Sequence, residues 1–217
     1  MKQIAIYGAG GFGREVKMLI DQINDVNSKH SQLEFVGFYD DGMEKGHMVN
    51  GYPVLGGTIE LNSISEDLGI VVAVGNPKAK KNIIGNLTNK HIWYPVLIHP
   101  SVFIGRDDVT IGEGSIICAG CLITVNIRIG RHVILNLGCT VGHDTVIGDY
   151  SSFMPSVNIS GEVNIAECVY GGTGAKIINR SDIGEETTIG MGAIVAKSLP
   201  PKCTAVGIPA KPVKFHD

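Results

Sequence analysis

Large apolar residues recur at every sixth position along the second half of the chain. The series runs Ile111, Ile117, Ile123, Ile129, Leu135, Val141, Ile147, Phe153, Ile159, Ile165, Gly171, Ile177, Ile183, Ile189 and Val195, so fourteen of fifteen positions are large and apolar. A small or branched residue comes four positions after most of them, and glycine often follows them directly. This period fits neither a helix nor an ordinary alternating strand. The pattern predicts short strands separated by regular corners.

Three six-residue units would close a three-sided coil of 18 residues. Residues one coil apart would then stack, which places Ile111, Ile129, Ile147, Ile165 and Ile183 in one column. A single coil cannot bury its own core, but stacked coils can. Each buried aliphatic side chain contributes roughly 1.5–3 kcal/mol. The pattern therefore favours a parallel β-solenoid over chance patterning in an isoleucine-rich chain.

The first part of the chain alternates between strand-like and helix-like patterns. Apolar residues Val16, Leu19, Ile20 and Ile23 would share one helix face. Alternating strands and helices indicate a small parallel sheet. The predicted strands are 2–7, 34–39, 69–74 and 92–96, and the predicted helices are 12–23 and 76–89.

A glycine-rich turn joins the first predicted strand to the first predicted helix. Residues 8–13 read Gly-Ala-Gly-Gly-Phe-Gly and match G-x-G-x-x-G in the context that nucleotide binding requires. Backbone N–H groups at a helix N-terminus suit a phosphate. Asp40 and Asp41 end the second strand, where a carboxylate can accept hydrogen bonds from a ribose or a base. A tight turn with no ligand is the alternative interpretation.

Composition and charge narrow the classes of function. The 217 residues are 44% hydrophobic and 18% charged, which supports a packed core, and the net charge is −3 without a basic run. Nucleic-acid binding therefore has no support. No segment has the apolar length of a membrane span, and Met1–Tyr7 leads straight into the glycine turn rather than into a signal-peptide pattern. We expect a cytoplasmic protein that does not associate with membranes.

The five cysteines are expected to be reduced, because their number is odd. Cys118 and Cys121 match C-x-x-C, but there is no second pair to make a zinc site. Cys121 and Cys139 occupy the same small inward position of the repeat, so core packing is the favoured interpretation. No histidine forms a metal-type cluster with them, and no metal is expected.

The repeat resembles that of the hexapeptide-repeat acyltransferases, and residues 207–212, Gly-Ile-Pro-Ala-Lys-Pro, match that family's closing segment. Together with the glycine turn, the Asp40–Asp41 pair and Val74-Gly75-Asn76, the chain resembles the sugar acetyltransferases of the NeuD/PglD type. The resemblance implies a Rossmann-like nucleotide-sugar-binding domain over residues 1–97. It also implies a left-handed parallel β-helix over residues 98–217.

The same resemblance implies an activity. One branch uses acetyl-CoA to N-acetylate a UDP-4-amino-4,6-dideoxy sugar in bacterial surface glycan biosynthesis, and this is the expected function. Sialic acid O-acetylation, associated with another branch, and a non-catalytic nucleotide-sugar-binding scaffold are the alternatives. The family's substrate contacts carry over to Gly10, Gly11, Phe12, Asp40, Asp41 and Gly75. The chain departs from the family at Phe12, where histidine is usual, and at Gly10, where serine is common.

His143 is the candidate general base. Its position next to Asp144 matches the His-Glu/Asp motif of the family, and a neutral imidazole is available near neutral pH. A contact between these neighbours requires one of them to lie at a corner, since adjacent strand residues point to opposite faces. The other histidines have simpler interpretations. His30, His47, His91 and His216 are expected on the surface, His99 at the junction, and His132 pointing outward from its coil.

The family binds acetyl-CoA along the edge between adjacent β-helices of a homotrimer. The resemblance places cofactor contacts at Ser152, Gly161, Thr173 and Met191, with the Gly161 N–H aimed at the reacting carbonyl oxygen. Histidine is usual where this chain has Ser152. The run Gly171–Gly174 interrupts the apolar series, which would suit either a pantetheine arm or a plain loop.

Overall fold

A computed structural model describes residues 2–28 and 32–216. His30, expected on the surface, lies outside these residues. The N-terminal half forms one sheet in the order β3-β4-β2-β1-β5-β6, which is parallel except for the antiparallel pair β3–β4. Its elements are β1 Lys2–Tyr7, α1 Gly11–Val26, β2 Leu33–Tyr39, β3 Met48–Val49, β4 Tyr52–Gly56, α2 Thr58–Leu61, β5 Leu68–Val72, α3 Pro77–Asn86 and β6 Ile92–Trp93.

The predicted strands and helices of this half are confirmed to within a few residues at most ends. The central strand β1 is buried along Ile4–Tyr7, and the predicted face of α1 packs on the sheet through Val16, Leu19 and Ile20. The hairpin β3–β4 and the helix α2 were not predicted. The hairpin makes the sheet mixed rather than purely parallel.

The rest of the chain is a parallel β-solenoid, as the six-residue series predicts, followed by an antiparallel pair of strands at its C-terminal end. Its strands form three sheets, one on each side of the prism. The strands are β7 Leu97–Ile98, β8 Phe103–Ile104, β9 Val109–Ile111, β10 Ile116–Ile117, β11 Leu122–Ile123, β12 Ile127–Ile129, β13 Ile134–Leu135, β14 Thr140–Val141, β15 Val146–Ile147, β16 Ser152–Phe153, β17 Asn158–Ile159, β18 Asn164–Ile165, β19 Tyr170–Gly171, β20 Lys176–Ile177, β21 Asp182–Ile183, β22 Thr188–Ile189, β23 Ile194–Val195, β24 Cys203–Gly207 and β25 Ala210–Phe215.

The coil length of 18 residues is confirmed by the strand register. Ile111 pairs with Ile129, Ile147 with Ile165, and the column continues to Ile183. Every position of the apolar series from Ile117 to Val195 is buried. The axial core therefore consists of the residues that the period selects. The solenoid starts at β7, so its first strand lies across the predicted boundary between residues 97 and 98.

The corners have a regular backbone conformation that glycine does not dominate. From Asp108 to Gly192, every sixth residue has a positive φ, and ten of these fifteen residues are not glycine. The glycines that follow the apolar positions serve close packing instead. A Cβ at Gly142, for example, would lie 2.5 Å from the backbone nitrogen of Gly161 in the next coil.

The N-terminal half packs on the first coils of the solenoid. Leu97, Ile116 and Ile134 face outward from their sheet and join the core cluster that contains Ile6 and Leu19. His132 also points outward from its coil, but it is only 3% exposed. Its ring contacts Tyr94 edge-on and stacks on Tyr150. His132 therefore has the predicted outward orientation but is buried, because the N-terminal half covers this edge.

Candidate active site

His143 and Asp144 meet at a corner of the solenoid between β14 and β15. Asp144 has a φ of 57°, which turns its side chain back towards its neighbour. The Nδ1 atom of His143 lies 2.8 Å from a carboxylate oxygen of Asp144, and both side chains are about half exposed. The two side chains can therefore make contact because Asp144 lies at a corner, as the sequence pattern requires.

Residues one coil away complete the surroundings of this pair. One coil before Asp144, the amide of Asn126 donates to its second carboxylate oxygen at 2.9 Å. One coil after His143, Gly161 lies beneath the imidazole, and a Cβ there would come within 2.6 Å of the ring. The imidazole is held between a carboxylate at one edge and a glycine below.

These contacts fix the proton arrangement of the imidazole. Hydrogen bonds from His143 and then from Asn126 lower the pKa of Asp144, so its carboxylate is ionised at neutral pH. An ionised carboxylate only accepts hydrogen bonds, hence Nδ1 of a neutral His143 carries the proton. The Nε2 atom is left with a free lone pair. A lone pair on Nε2 is what proton acceptance by an imidazole requires.

The predicted nucleotide-binding segments converge at the carboxyl edge of the N-terminal sheet. The Gly8 N–H donates to the Tyr39 carbonyl at 2.7 Å, and the Ala9 N–H donates to the Asp40 carboxylate at 2.9 Å. The third segment is adjacent, because a Cβ on Gly8 would contact Val74. No atom lies within 4 Å of the position that a Cβ would occupy at Gly10, and Gly10 and Gly11 are both exposed. Phe12 and Gly75 are partly exposed at the same edge.

Asp41 is engaged by the protein itself. Its carboxylate accepts hydrogen bonds from the Tyr7 hydroxyl at 2.6 Å and from the backbone and hydroxyl of Thr58. Although partial burial alone would raise the pKa of Asp41, these donors lower it. Burial, together with this hydrogen bond, raises the pKa of Tyr7 to about 12. Asp41 therefore anchors the start of α2. Among the described residues, Asp40 accepts only backbone hydrogen bonds, from Ala9 to one carboxylate oxygen and from Gly42 to the other, each at 2.9 Å.

A cleft of about 550 Å³ lies between the two halves of the chain. Gly75 and Asn76 line it from the N-terminal half, and Met154, Tyr170 and Thr188 line it from the solenoid. His216, expected on the surface, also borders this cleft. A ligand held at the carboxyl edge of the sheet can extend into it.

The four predicted cofactor residues are not placed together. Thr173 and Met191 are exposed one coil apart, beside the corners at Gly174 and Gly192, and Met191 is 83% exposed. Gly161 lies on another edge of the prism, beneath His143. Ser152 is fully buried, and its hydroxyl accepts a hydrogen bond from Lys80 at 2.8 Å. A residue buried in this way contacts no ligand in this conformation.

The described part of the chain has neither a metal-type cluster nor a membrane-spanning helix. No group of three or more His, Cys, Asp or Glu side chains within it is arranged to hold a metal ion. Nor does any of its helices have the length and apolar character to cross a membrane. The five cysteines are unpaired and buried, and burial raises the pKa of Cys118 to about 12.

Comparisons with known proteins agree with this architecture. Residues 3–87 match the family model of the PglD N-terminal domain. The chain is 34% identical over 221 residues to GDP-perosamine N-acetyltransferase of Escherichia coli O157:H7, covering 99% of this chain and 97% of the relative. Among solved structures, WeeI from Acinetobacter baumannii AYE is 35% identical with a TM-score of 0.87, covering 98% of this chain and all of the other.

Two further structures were solved with ligands. The acetyltransferase domain of PglB from Neisseria gonorrhoeae FA1090, in complex with acetyl coenzyme A, is 33% identical with a TM-score of 0.85 over 98% of this chain and 99% of that chain. PerB from Caulobacter crescentus, in complex with CoA and GDP-perosamine, is 27% identical with a TM-score of 0.85 over 99% and 98% of the two chains.

The α/β half and the left-handed parallel β-helix together define the fold of a hexapeptide-repeat acyltransferase. The full-length similarity then gives the family. The chain belongs to the acetyl-CoA-dependent sugar N-acetyltransferases of the NeuD/PglD type.

Proposed function

We propose that this protein transfers an acetyl group from acetyl-CoA to the amino group of a nucleotide-linked sugar, with His143 as the general base. The observation that carries the proposal is the His143–Asp144 contact over Gly161. The relatives described as GDP-perosamine N-acetyltransferases support a nucleotide-sugar acceptor. The sequence resemblance favours a UDP-linked sugar, so both nucleotides belong among the candidates.

The two halves of the chain would have different functions, acceptor binding and acetyl transfer. We assign residues 1–97 to binding the nucleotide sugar through Gly10, Gly11, Phe12, Asp40 and Gly75. Asp41 would support this edge of the sheet through Thr58. The helix N-terminus behind the glycine turn suits the diphosphate. Residues 98–217 would carry the transfer itself.

Acetyl-CoA supplies an activated thioester carbonyl. His143 would take a proton through Nε2 from the acceptor nitrogen as the new C–N bond forms and the C–S bond breaks. The same proton can then pass to the departing thiolate. Asp144 would stabilise the imidazolium that exists in between. The Gly161 N–H would donate to the carbonyl oxygen as negative charge develops there.

The protein would act as a homotrimer. Thr173 and Met191 lie on a different prism edge from His143, so a single chain does not bring both groups to one place. Two copies packed side by side would bring the edge with Thr173 and Met191 of one copy to the His143 edge of the next.

The sialic acid O-acetyltransferase function is retained as the second candidate, since a base can also accept a hydroxyl proton.

Thiol release from acetyl-CoA tests the proposal. The acceptors are UDP- and GDP-linked amino sugars, the matching hydroxy sugars and free sialic acid. Wild-type protein should prefer a nucleotide-linked amino sugar, and His143→Ala should lower kcat by roughly 10²–10⁴-fold. The exposed His47 gives the matched control, His47→Ala, which should keep wild-type rates. Preference for a hydroxyl acceptor, or near-normal turnover by His143→Ala, would overturn the proposal.

A further inference from the structure

Helix α3 joins the two halves of the chain through its lysines. Lys78 pairs with Glu186 and Lys81 with Glu167, each at 2.7 Å. Both pairs are substantially exposed, and exposed ion pairs of this kind hold a contact only weakly. Lys80, which lies between these two lysines in sequence, makes a contact of a different kind.

The Lys80 side chain is almost completely buried, at 1% exposure. Its ammonium nitrogen lies 2.8 Å from the Ser152 hydroxyl and 3.5 Å from the Ser151 carbonyl, both in the solenoid. A buried amine is costly unless it is hydrogen-bonded, so its position is strongly determined by these partners. The contact therefore sets where α3 sits on the solenoid.

Lys80 and Ser152 each lie in an element that carries one part of the proposed site. On one side, α3 begins at Pro77, directly after Gly75 and Asn76 in the interdomain cleft. On the other side, Ser152 lies on β16, in the same coil as His143. The solenoid is stiffened by its ladder of backbone hydrogen bonds, so fixing α3 on β16 also fixes the cleft relative to the His143 coil.

We propose that Lys80 is a positioning residue for acetyl transfer, which acts by seating the acceptor-binding half on the coil that carries His143 through its contact with Ser152. This inference rests on the proposed function. Lys80 touches no reacting atom. Its role is to keep the acceptor nitrogen at the distance and angle that transfer at the solenoid requires. This role is the same whether the reacting His143 belongs to the same subunit or to a neighbouring one.

The first test compares Lys80→Met with Lys81→Met in the full-length protein. Methionine keeps the length and apolar stem of Lys80 but removes the hydrogen bonds. We expect kcat to fall roughly 10- to 100-fold, the effect of a misplacement of about 1 Å. The KM for acetyl-CoA and the Kd for UDP or GDP should stay within about twofold, because their contacts lie within one half. Lys81→Met, which removes an exposed ion pair with Glu167 and a contact with the Tyr150 ring, should match wild type.

Ser152→Ala gives a second route to the same contact without altering α3. It should lower kcat in the same direction, and the double variant Lys80→Met/Ser152→Ala should be no slower than Lys80→Met alone. Thermal unfolding and size-exclusion chromatography of each variant establish that it is folded and assembled as wild type is.

The outcomes separate this inference from the proposed function. If wild type transfers acetyl and His143→Ala does not, but Lys80→Met keeps the wild-type kcat, the positioning role is wrong and the proposed function stands. A uniform loss of nucleotide and acetyl-CoA binding in Lys80→Met would also overturn it, since that is the result of a merely structural role. If wild type transfers no acetyl to any amino sugar, the proposed function itself fails.

Discussion

The smallest unit of the proposed site is a column of residues spaced by one coil. Asn126 and Asp144 occupy equivalent corners of successive coils, and both have a positive φ. His143 and Gly161 are related by the same step of 18 residues. The imidazole depends on both neighbours, since Asp144 orients it and Gly161 leaves room for it. Its geometry can therefore be disturbed without touching His143.

Gly161→Ala tests this dependence. The added methyl would lie within 2.6 Å of the His143 ring, so the ring must shift from its present position beside Asp144. We expect kcat to fall roughly 10- to 100-fold, because misplaced catalytic groups lose rate on this scale. The KM for the nucleotide sugar should change little, and steady-state kinetics with the preferred acceptor measures both constants.

Gly85→Ala is the matched control for that substitution. Gly85 lies in α3 with no atom near its Cβ position, so alanine there should leave kcat unchanged and raise stability by up to about 1 kcal/mol. A wild-type kcat in Gly161→Ala would show that the ring position over Gly161 does not matter for transfer.

At the scale of elements, the stability contributed by the packing of α3 on the solenoid should depend on pH. Burial lowers the pKa of Lys80 to about 7, against an ordinary value of 10.5. In the unfolded chain the amine regains the ordinary value, so between pH 7 and 10.5 unfolding takes up a proton. Stability contributed by this group therefore rises with pH across that window and is constant below it.

Thermal unfolding of wild type and Lys80→Met at several pH values measures this contribution. The stability of wild type relative to Lys80→Met should rise by up to about 1.4 kcal/mol per pH unit between pH 7 and 10. The charged and titratable neighbours Cys168, His132 and Lys81 are common to both proteins, so the difference isolates Lys80. Parallel stability curves would mean that Lys80 keeps its proton when buried.

An element can be predicted from the sequence when the interactions that form it lie between residues close together in the chain. The solenoid was predictable because one six-residue rule decides burial at every position from Ile117 to Val195. The hairpin β3–β4 had a local signal that was missed, the turn Asn50–Gly51, in which both residues have positive φ. Helix α2 had none of comparable strength, since Asp41 supplies its N-terminal acceptor from 17 residues away.

The same distinction applies to the candidate site. The period already implies that Asn126 and Gly161 flank the His143–Asp144 corner, although Asn126 was not singled out. Lys80 could not be found this way, because its partner Ser152 is 72 residues distant and meets it only after the two halves pack together. That packing also buried Ser152 and His132, which the repeat alone places on an outward surface.

At the scale of the whole molecule, the proposed site is divided between two edges of the prism. This arrangement predicts that two inactive variants can restore activity in mixed trimers. Thr173→Trp should block the exposed edge near Met191, and His143→Ala removes the base. In each mixed trimer, one of the three sites then joins an intact His143 edge to an intact Thr173 edge.

Co-expression of the two variants, each with a different tag, followed by tandem purification provides the mixed trimers. Thiol release should return to a substantial fraction of the wild-type rate, while each parent remains inactive. Assemblies that stay as inactive as their parents would place both edges of the site within one subunit.

The regular coil length also limits how such a molecule can change its dimensions. Since each coil hydrogen-bonds only to its neighbours, the solenoid can be lengthened without internal rearrangement only by a whole coil of 18 residues. A coil added between the packing surface at Ile134 and the corner at Asp144 would carry His143 along the prism axis by about 4.8 Å, one strand spacing. The distance between the N-terminal half and the His143 corner therefore changes only in discrete steps. Under the proposed function, an acceptor of a different length would have to be accommodated by side chains or by a full extra turn.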